Sequence, residues 1–388
     1  MKKKIAILGS TGSIGKNLIK IILKKKKNFD VVLLTTNKNY KDLLKQAKLL
    51  NVKNLIITDK YSFNLSQKKN LDKKIKIFNN FNNFNKIFTS KVDYAMSSIS
   101  GIQGLEPTYK IIKYTKILAI ANKEAIICGW NLISKELKKN KTNFIPVDSE
   151  HFSAWYALRG IQKSEIDQIF LTASGGPFLK LPLNQFSKIK PYKALKHPNW
   201  KMGNKITIDS STLMNKVFEI IEAKNIFDIE YKKLNILIHP KSYVHAILKF
   251  KSGITKVILH DTNMIIPIYN TLYLNEQKKI KSEKIDLYKL NNLNLDKVNT
   301  KRFPVVKILK LLPQKTTLFE TVIVSANDKL VDLFLNNSIK FLDIQKNLFK
   351  IINLKEFKLL KRIEPKTLIE IYKLNKYVNS KIENLIYK

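Results

Sequence analysis

The sequence predicts an α/β protein in three parts: an N-terminal parallel sheet, a central α+β domain and a C-terminal helical domain. Three observations carry this. Up to about residue 150, short apolar runs alternate with helical stripes, the pattern of βαβ units. From about 145 to 270 strand-like runs dominate, with one good helix. Beyond Phe303 the apolar spacing is helical to the end, with few glycines. The expected divisions are 1–147, 148–274, a polar Lys- and Asn-rich linker at 275–300, and 301–388.

Ile5–Leu8 predicts the first strand, and Ile14, Leu18, Ile21 and Ile22 give the apolar stripe of the helix after it. Val31–Thr36, Leu55–Thr58, Tyr94–Met96 and Ile117–Ile120 predict later strands. Phe144–Val147, Ile169–Thr172, Ile236–Ile238 and Val244–Phe250 follow, and a helix starts near Ser211.

Composition narrows the function. The chain has 388 residues, 44% hydrophobic and 26% charged, which excludes a mainly disordered chain or a small disulfide scaffold. Cys128 is the only cysteine, so no internal disulfide forms and a reducing compartment fits best. No apolar run approaches the roughly 18 residues that span a membrane. The apolar stretch after the initial lysines is only Ile5 to Leu8, broken by Gly9 and Gly12, so it reads as a strand and not a signal peptide. We therefore expect a cytoplasmic protein with no membrane partner.

The net charge is +41, from 71 basic and 30 acidic residues. Of the basic residues only Arg159, Arg302 and Arg362 are arginine, whereas readers of base edges and phosphates favour arginine. The lysines also run the whole length of the chain. The charge is read as compositional drift, with no nucleic-acid partner expected. A basic surface still draws in phosphorylated anions.

Gly9-Ser-Thr-Gly12-Ser-Ile-Gly15 follows a strand and opens a helix. Glycines there permit a tight turn and close approach of a pyrophosphate, which the helix N-terminus attracts, so the first domain reads as Rossmann-like. An NAD site usually carries an acid at the end of the second strand. Here the strand ends Thr36-Asn37-Lys38-Asn39, and Lys38 can pair with a 2′-phosphate, which favours NADP.

Asn122-Lys123-Glu124 directly follows a strand, where open parallel sheets bind ligands. In Pro146-Val-Asp148-Ser149-Glu150-His151 an extended chain puts Asp148 and Glu150 on one face, with Ser149 and His151 opposite. Two adjacent carboxylates repel unless a cation lies between them, and a hard divalent ion such as magnesium or manganese suits them. His151 reads as structural. Asp209-Ser210-Ser211-Thr212 reads as a helix start, with Asn215, Lys216 and Glu219 on one face of the helix that follows. They form either a surface salt bridge or a third metal ligand with a phosphate clamp, and Glu222 competes for the ligand role. Ser174-Gly-Gly-Pro-Phe178 is an anion-suited turn. His197-Pro-Asn-Trp200-Lys-Met202-Gly203 reads as a lid, or as a loop over a buried Trp.

In this order the motifs closely resemble those of the 1-deoxy-D-xylulose 5-phosphate reductoisomerase family. The match rests on Leu8–Gly15, Ala121–Glu124, Pro146–His151, Ser174–Phe178, His197–Trp200 with Met202-Gly203, and Met214-Asn-Lys216 with Glu219. Ile238-His-Pro240 with Ser242 adds a weaker echo.

The resemblance implies a homodimeric, NADPH- and metal-dependent enzyme that rearranges and reduces a phosphorylated sugar. Thr11, Gly12, Ser13 and Ile14 would hold the pyrophosphate, with Asn37, Lys38 and Asn39 near the 2′-phosphate; Asn122, Glu124 and Gly203 would also touch the cofactor. Asp148, Glu150 and Glu219 would bind magnesium or manganese. Lys123, Ser149, Glu150, Ser174, His197, Ser210, Asn215, Lys216 and Glu219 would meet the substrate, with Lys123, Asp148, Glu150, His197 and Glu219 the catalytic set. Trp200 and Met202 would belong to the lid. The match departs at Asn37 and Ala173, where the family usually has glycine, at Ser211 for alanine and at Asp328 for glutamate. A different NADP-dependent dehydrogenase is the rival enzyme reading, and a basic nucleic-acid-binding protein the rival from another class.

Overall fold

Near-continuous apolar runs buried on both faces make parallel strands, and the first part of the chain supplies them. The computed structural model describes residues 2–70, 74–200, 202–274, 276 and 279–387. Seven strands form its first sheet: β1 (Lys3–Leu8), β2 (Phe29–Thr36), β3 (Asn54–Ile57), β4 (Lys76–Phe78), β5 (Val92–Ser97), β6 (Thr115–Ile120) and β7 (Asn143–Pro146). Their order is β4-β3-β2-β1-β5-β6-β7, and every neighbouring pair is parallel. The chain runs outward from β1 to β4 and then returns to the other side of β1. The order therefore reverses between β1 and β5, which is where such sheets bind ligands.

The helices α1 (Ser13–Lys24) and α2 (Tyr40–Leu50) belong to this layer, and α3 (Lys123–Lys139) starts and ends in the same unit. Leu18 and Ile22 of α1 join Ile5, Ile7, Leu34 and Leu55 in one buried cluster. A further helix, Ile265–Leu272, packs on α1 and adds Ile268 and Leu272 to it. That apolar face groups residues 264–281 with the first sheet, in a unit comprising Met1–Ala125, Leu132–Asp148 and Met264–Lys281. Residues up to 274 were expected with the central domain.

The second unit comprises Ile126–Asn131, Ser149–Asn263 and Ser282–Lys388. Its mixed sheet holds β8 (Ile166–Ala173), β9 (Leu234–Ile238), β10 (Val244–Phe250), β11 (Thr255–Leu259) and β12 (Asp296–Lys297), in the order β11-β10-β8-β9-β12. Only β8 and β9 run parallel. The helices α4 (Ser149–Ala157), α5 (Asn204–Thr212) and α6 (Met214–Phe227) carry the polar motifs. Of the C-terminal helices α7 (Leu318–Leu335), α8 (Phe341–Ile352) and α9 (Leu368–Tyr387), the last two pack against α7, which is buried over most of its surface. They fall in the same unit as the mixed sheet.

Within the expected linker, residues 275, 277 and 278 lie outside the described residues. The rest includes a short helix, Leu287–Asn291, and β12, which pairs with β9. Among the described residues no helix is long and apolar enough to cross a membrane.

Two local readings are corrected. Asp148 does not continue an extended strand: β7 stops at Pro146 and α4 begins at Ser149. Asp209–Thr212 does not cap a helix from outside but forms the last turn of α5, and Leu213, at φ 66°, separates it from α6.

Candidate active site

In the first unit, Gly9 follows β1 with φ +84°, and a Cβ there would lie 2.8 Å from the Ser98 carbonyl oxygen. Gly15 sits where a Cβ would meet the Gly9 carbonyl oxygen at 2.5 Å. These two glycines let the turn close against the end of β5. Gly12 is the residue before α1, and Ser13 and Ile14 open it. The first-turn amides, which a helix leaves without intrahelical partners, thus face outward from the turn. Thr11 Oγ1 lies 2.6 Å from Thr36 Oγ1, and Ser10 Oγ is bonded to Gln46 Oε1 at 2.7 Å.

At the end of β2, Asn37, Lys38 and Asn39 are exposed. Asn37 Nδ2 donates to Thr58 Oγ1 at 2.8 Å, and Asn39 caps α2 by accepting from the Asp42 amide. Lys38 is the cationic side chain of the three.

Asn122 caps α3. Its Oδ1 accepts from the Ala125 amide at 2.5 Å, and its Nδ2 donates to the carbonyls of Gly101, at 2.8 Å, and Ile99. Its side chain is thus committed to the fold. Lys123 is buried with its Nζ 3.1 Å from Asp148 Oδ2, and Glu124 is buried beside it.

In the second unit, helical turns bring the carboxylates together. Ser149 Oγ donates to Glu150 Oε2 at 2.5 Å, so the helix start, not strand alternation, sets their relation. On α6, Asn215 Nδ2 donates to Glu219 Oε1, and Lys216 Nζ donates both to Glu219 Oε2 and, at 2.8 Å, to Glu150 Oε1. Burial opposes the charge on Lys216, but Glu150 and Glu219 more than offset it and hold its pKa above the ordinary lysine value. Asp148 is joined to α4 by the next peptide bond. One carboxylate oxygen from each of Asp148, Glu150 and Glu219 lies within 4.8 Å of the others.

Asp148, His151 and Glu222 form a second such group. His151 is fully buried, with Nε2 donating to the Glu219 carbonyl at 2.8 Å and Nδ1 3.4 Å from Glu222 Oε2. His151 therefore supports the backbone that carries Glu219, as its structural reading expects. Glu219, on Lys216 and Asn215, belongs to the all-oxygen group, whose hard donors suit magnesium or manganese.

Ser174, His197 and Ser210 converge. His197 Nε2 lies 3.0 Å from Ser174 Oγ and 3.1 Å from Ser210 Oγ. Its Nδ1 accepts from the amides of Asn199, at 3.2 Å, and Trp200, at 2.9 Å. Nδ1 is therefore the acceptor and Nε2 carries the proton. Burial lowers the His197 pKa to about 4, so near pH 7 it is a neutral donor. Asn199 pins the same loop by donating to the Pro240 carbonyl at 2.6 Å and Ser242 Oγ at 2.9 Å. Trp200 and Met202 are half-buried, and Gly203 precedes α5, its carbonyl accepting from the Thr207 amide at 3.1 Å.

Some supporting residues escape the sequence reading. Arg302 donates to the carbonyls of Phe178, at 2.8 Å, and Leu181, at 2.7 Å, fixing the segment after Gly176. Its signal was available: it is one of three arginines in a lysine-rich chain. Asp209 is buried, 3.0 Å from Lys205 Nζ and accepting from Asn327 Nδ2 at 2.7 Å, which holds α5 to α7.

Comparison with known proteins identifies the family. The 1-deoxy-D-xylulose 5-phosphate reductoisomerase family model matches residues 5–129. Two models of that enzyme's C-terminal domain match 144–227 and 259–380. A reductoisomerase of this name from Pelagibacter ubique is 60% identical over 99% of both chains, and one from Wolbachia pipientis wMel is 39% identical over 88% of both. Among solved structures, the Zymomonas mobilis enzyme in complex with NADPH aligns at a TM-score of 0.88 and 28% identity, covering 100% of this chain and 99% of that one. A DOX-P reductoisomerase in complex with NADPH, fosmidomycin and magnesium aligns at 0.90 and 28%, covering 99% and 98%. The rival reading as a different dehydrogenase has no place beside matches of this extent. The chain belongs to the 1-deoxy-D-xylulose 5-phosphate reductoisomerase family.

Proposed function

We propose that the chain catalyses the NADPH- and divalent-metal-dependent rearrangement and reduction of 1-deoxy-D-xylulose 5-phosphate to 2-C-methyl-D-erythritol 4-phosphate, in non-mevalonate isoprenoid biosynthesis. Its family membership supports this, as do relatives solved with NADPH, fosmidomycin and magnesium. The observation that carries it is the grouping of one carboxylate oxygen from each of Asp148, Glu150 and Glu219 within 4.8 Å, with the Lys216 ammonium bonded to the two glutamates.

In this reading Asp148, Glu150 and Glu219 hold the ion, and Asn215 and Lys216 orient the two glutamates. When bound, the ion polarises the substrate's oxygens as a Lewis acid and NADPH provides the hydride. Lys123 holds Asp148 in place. Ser174, Ser210 and neutral His197 offer donors to the substrate phosphate, assisted by Ser149, Asn215 and Lys216. Hydrogen-bonded by His197 and Asn199, the loop through Trp200 covers the substrate and excludes water. Thr11, Gly12, Ser13 and Ile14 take the pyrophosphate on the α1 N-terminus, and Lys38 the 2′-phosphate. Asn122, through its backbone, and Glu124 complete the cofactor site of the first unit.

We also propose a homodimer. β11 is an edge strand; Val257 on it is 43% exposed, and Ile254, the residue before it, is 63% exposed. An unpaired apolar edge suits a second copy of the chain. A cytoplasmic location is supported by the substrate class and the single buried thiol, Cys128.

The test is NADPH oxidation with 1-deoxy-D-xylulose 5-phosphate. Turnover that requires added magnesium or manganese supports the reading. Metal-independent turnover, or none with either ion, overturns it. Light scattering at a dimer's mass tests the assembly.

A further inference from the structure

Three of the chain's five histidines lie around the segment that holds Trp200. His197 binds its backbone from one side. On the other side, the Trp200 ring meets His245 edge to face, with centroids 6.1 Å apart and planes at 69°. His245 is itself stacked on His260, with centroids 3.7 Å apart and planes at 18°. The three rings make a ladder in which each inner ring fixes the next.

The hydrogen bonds leave the ladder to do this work. His260 Nδ1 donates at 2.8 Å only to the carbonyl of its own neighbour, Asp261. Its Nε2 is buried and makes no hydrogen bond among the described residues. His245 Nε2 donates to the His260 carbonyl at 3.2 Å, which keeps the two rings in register. The His260 amide in turn donates to the Tyr243 carbonyl at 3.2 Å and anchors that backbone to the start of β10. Burial lowers the His260 pKa, so this ring of the stack is uncharged near pH 7. His260 reaches Trp200 through the face of His245.

We propose that His260 is a positioning residue for the reaction: stacked on His245, it holds the ring that seats Trp200 and so sets the resting place of the loop over the substrate. The kinetic part rests on the reading of Trp200 as part of the substrate cover; the stack itself does not.

The experiment is 19F NMR of the full-length protein carrying 5-fluorotryptophan, with substrate kinetics on the same variants. Trp130, Trp155 and Trp200 give separate resonances, assigned by Trp200→Phe. In His260→Ala the Trp200 resonance should move toward that of a solvent-exposed indole, while those of Trp130 and Trp155 stay. KM for 1-deoxy-D-xylulose 5-phosphate should rise roughly two- to tenfold, the range an aromatic pair accounts for, with kcat changed less than about twofold. His260→Phe, which keeps a stacking ring, should restore both.

An unmoved Trp200 resonance in His260→Ala overturns the proposal. If that variant does not fold, His260→Phe and His260→Leu decide. A wild-type Trp200 resonance in both means that stacking is not what seats the indole. A shifted resonance with unchanged KM upholds the stack and removes Trp200 from the substrate cover.

Discussion

Lys216 stands between two acids that lie far apart in the chain: its Nζ is 2.8 Å from Glu150 Oε1 and donates also to Glu219, one helical turn further along α6. A buried ammonium and a divalent ion would offset the same carboxylate charge. The ammonium steadies the two acids before the ion arrives, and Asn215 fixes the remaining Glu219 oxygen.

Removing that ammonium strands buried carboxylate charge, which costs about 3–5 kcal/mol. Lys216→Met should therefore melt well below wild type without divalent ions and recover part of the loss when magnesium is added. The magnesium-dependent rise in Tm should exceed that of wild type, since the ion then carries the whole charge balance. Equal rises in the two proteins would show that Lys216 and the ion do not share those acids.

Gly15→Ala places a Cβ 2.5 Å from both the Gly9 carbonyl oxygen and Ser10 Cα, so the turn must open. Overpacking of this kind costs about 1–3 kcal/mol, and the strain falls on the pyrophosphate site. Kd for NADPH should rise about tenfold or more, with magnesium binding unchanged. NADPH titration followed by fluorescence measures it.

Lys38→Ala should weaken NADPH and leave NADH nearly unaffected. Loss of one exposed charge pair with a phosphate should narrow the preference by roughly tenfold. The kcat/KM ratio for the two cofactors is the readout, and an unaltered ratio removes Lys38 from the 2′-phosphate.

Glu320, at the N-terminus of α7, is buried, and burial raises its pKa to about 7 despite two bonds from Thr317 and the charge of Lys224. The folded state thus holds its proton more tightly than the unfolded chain does. Stability should fall as pH rises from about 4.5 to about 7 and level off above that, by roughly 3 kcal/mol from this group. Urea unfolding at pH 5 and pH 8 should show this decline in wild type, and Glu320→Gln should remove it.

The parts of the site legible in the sequence are those fixed by local rules. The Gly9–Gly15 turn is readable because glycines at a strand–helix junction answer a steric demand, and Asn215, Lys216 and Glu219 because helical spacing alone puts them on one face. The relation of Asp148 to Glu150 was inferred through strand alternation, whereas a helix starting at Ser149 makes it. The break between α5 and α6 left no mark, since a leucine at positive φ has no signature. Ser210, Ser211 and Thr212 suit a cap, but burial of Asp209 against Asn327 and Lys205 draws them into α5. β4 and β12, three and two residues long, are too short to give a periodic signal. The pairing of His245 with His260 depends on β10 and β11 being adjacent, and no spacing rule forecasts it.

The most direct test is manganese binding, followed by electron paramagnetic resonance, in wild type and in Asp148→Asn, Glu150→Gln, Glu219→Gln and Glu222→Gln. One ion per chain should bind wild type and Glu222→Gln, with affinity reduced roughly a hundredfold in each of the other three. Undiminished binding in those three, or loss only in Glu222→Gln, would contradict the assignment of Asp148, Glu150 and Glu219 as the ligands.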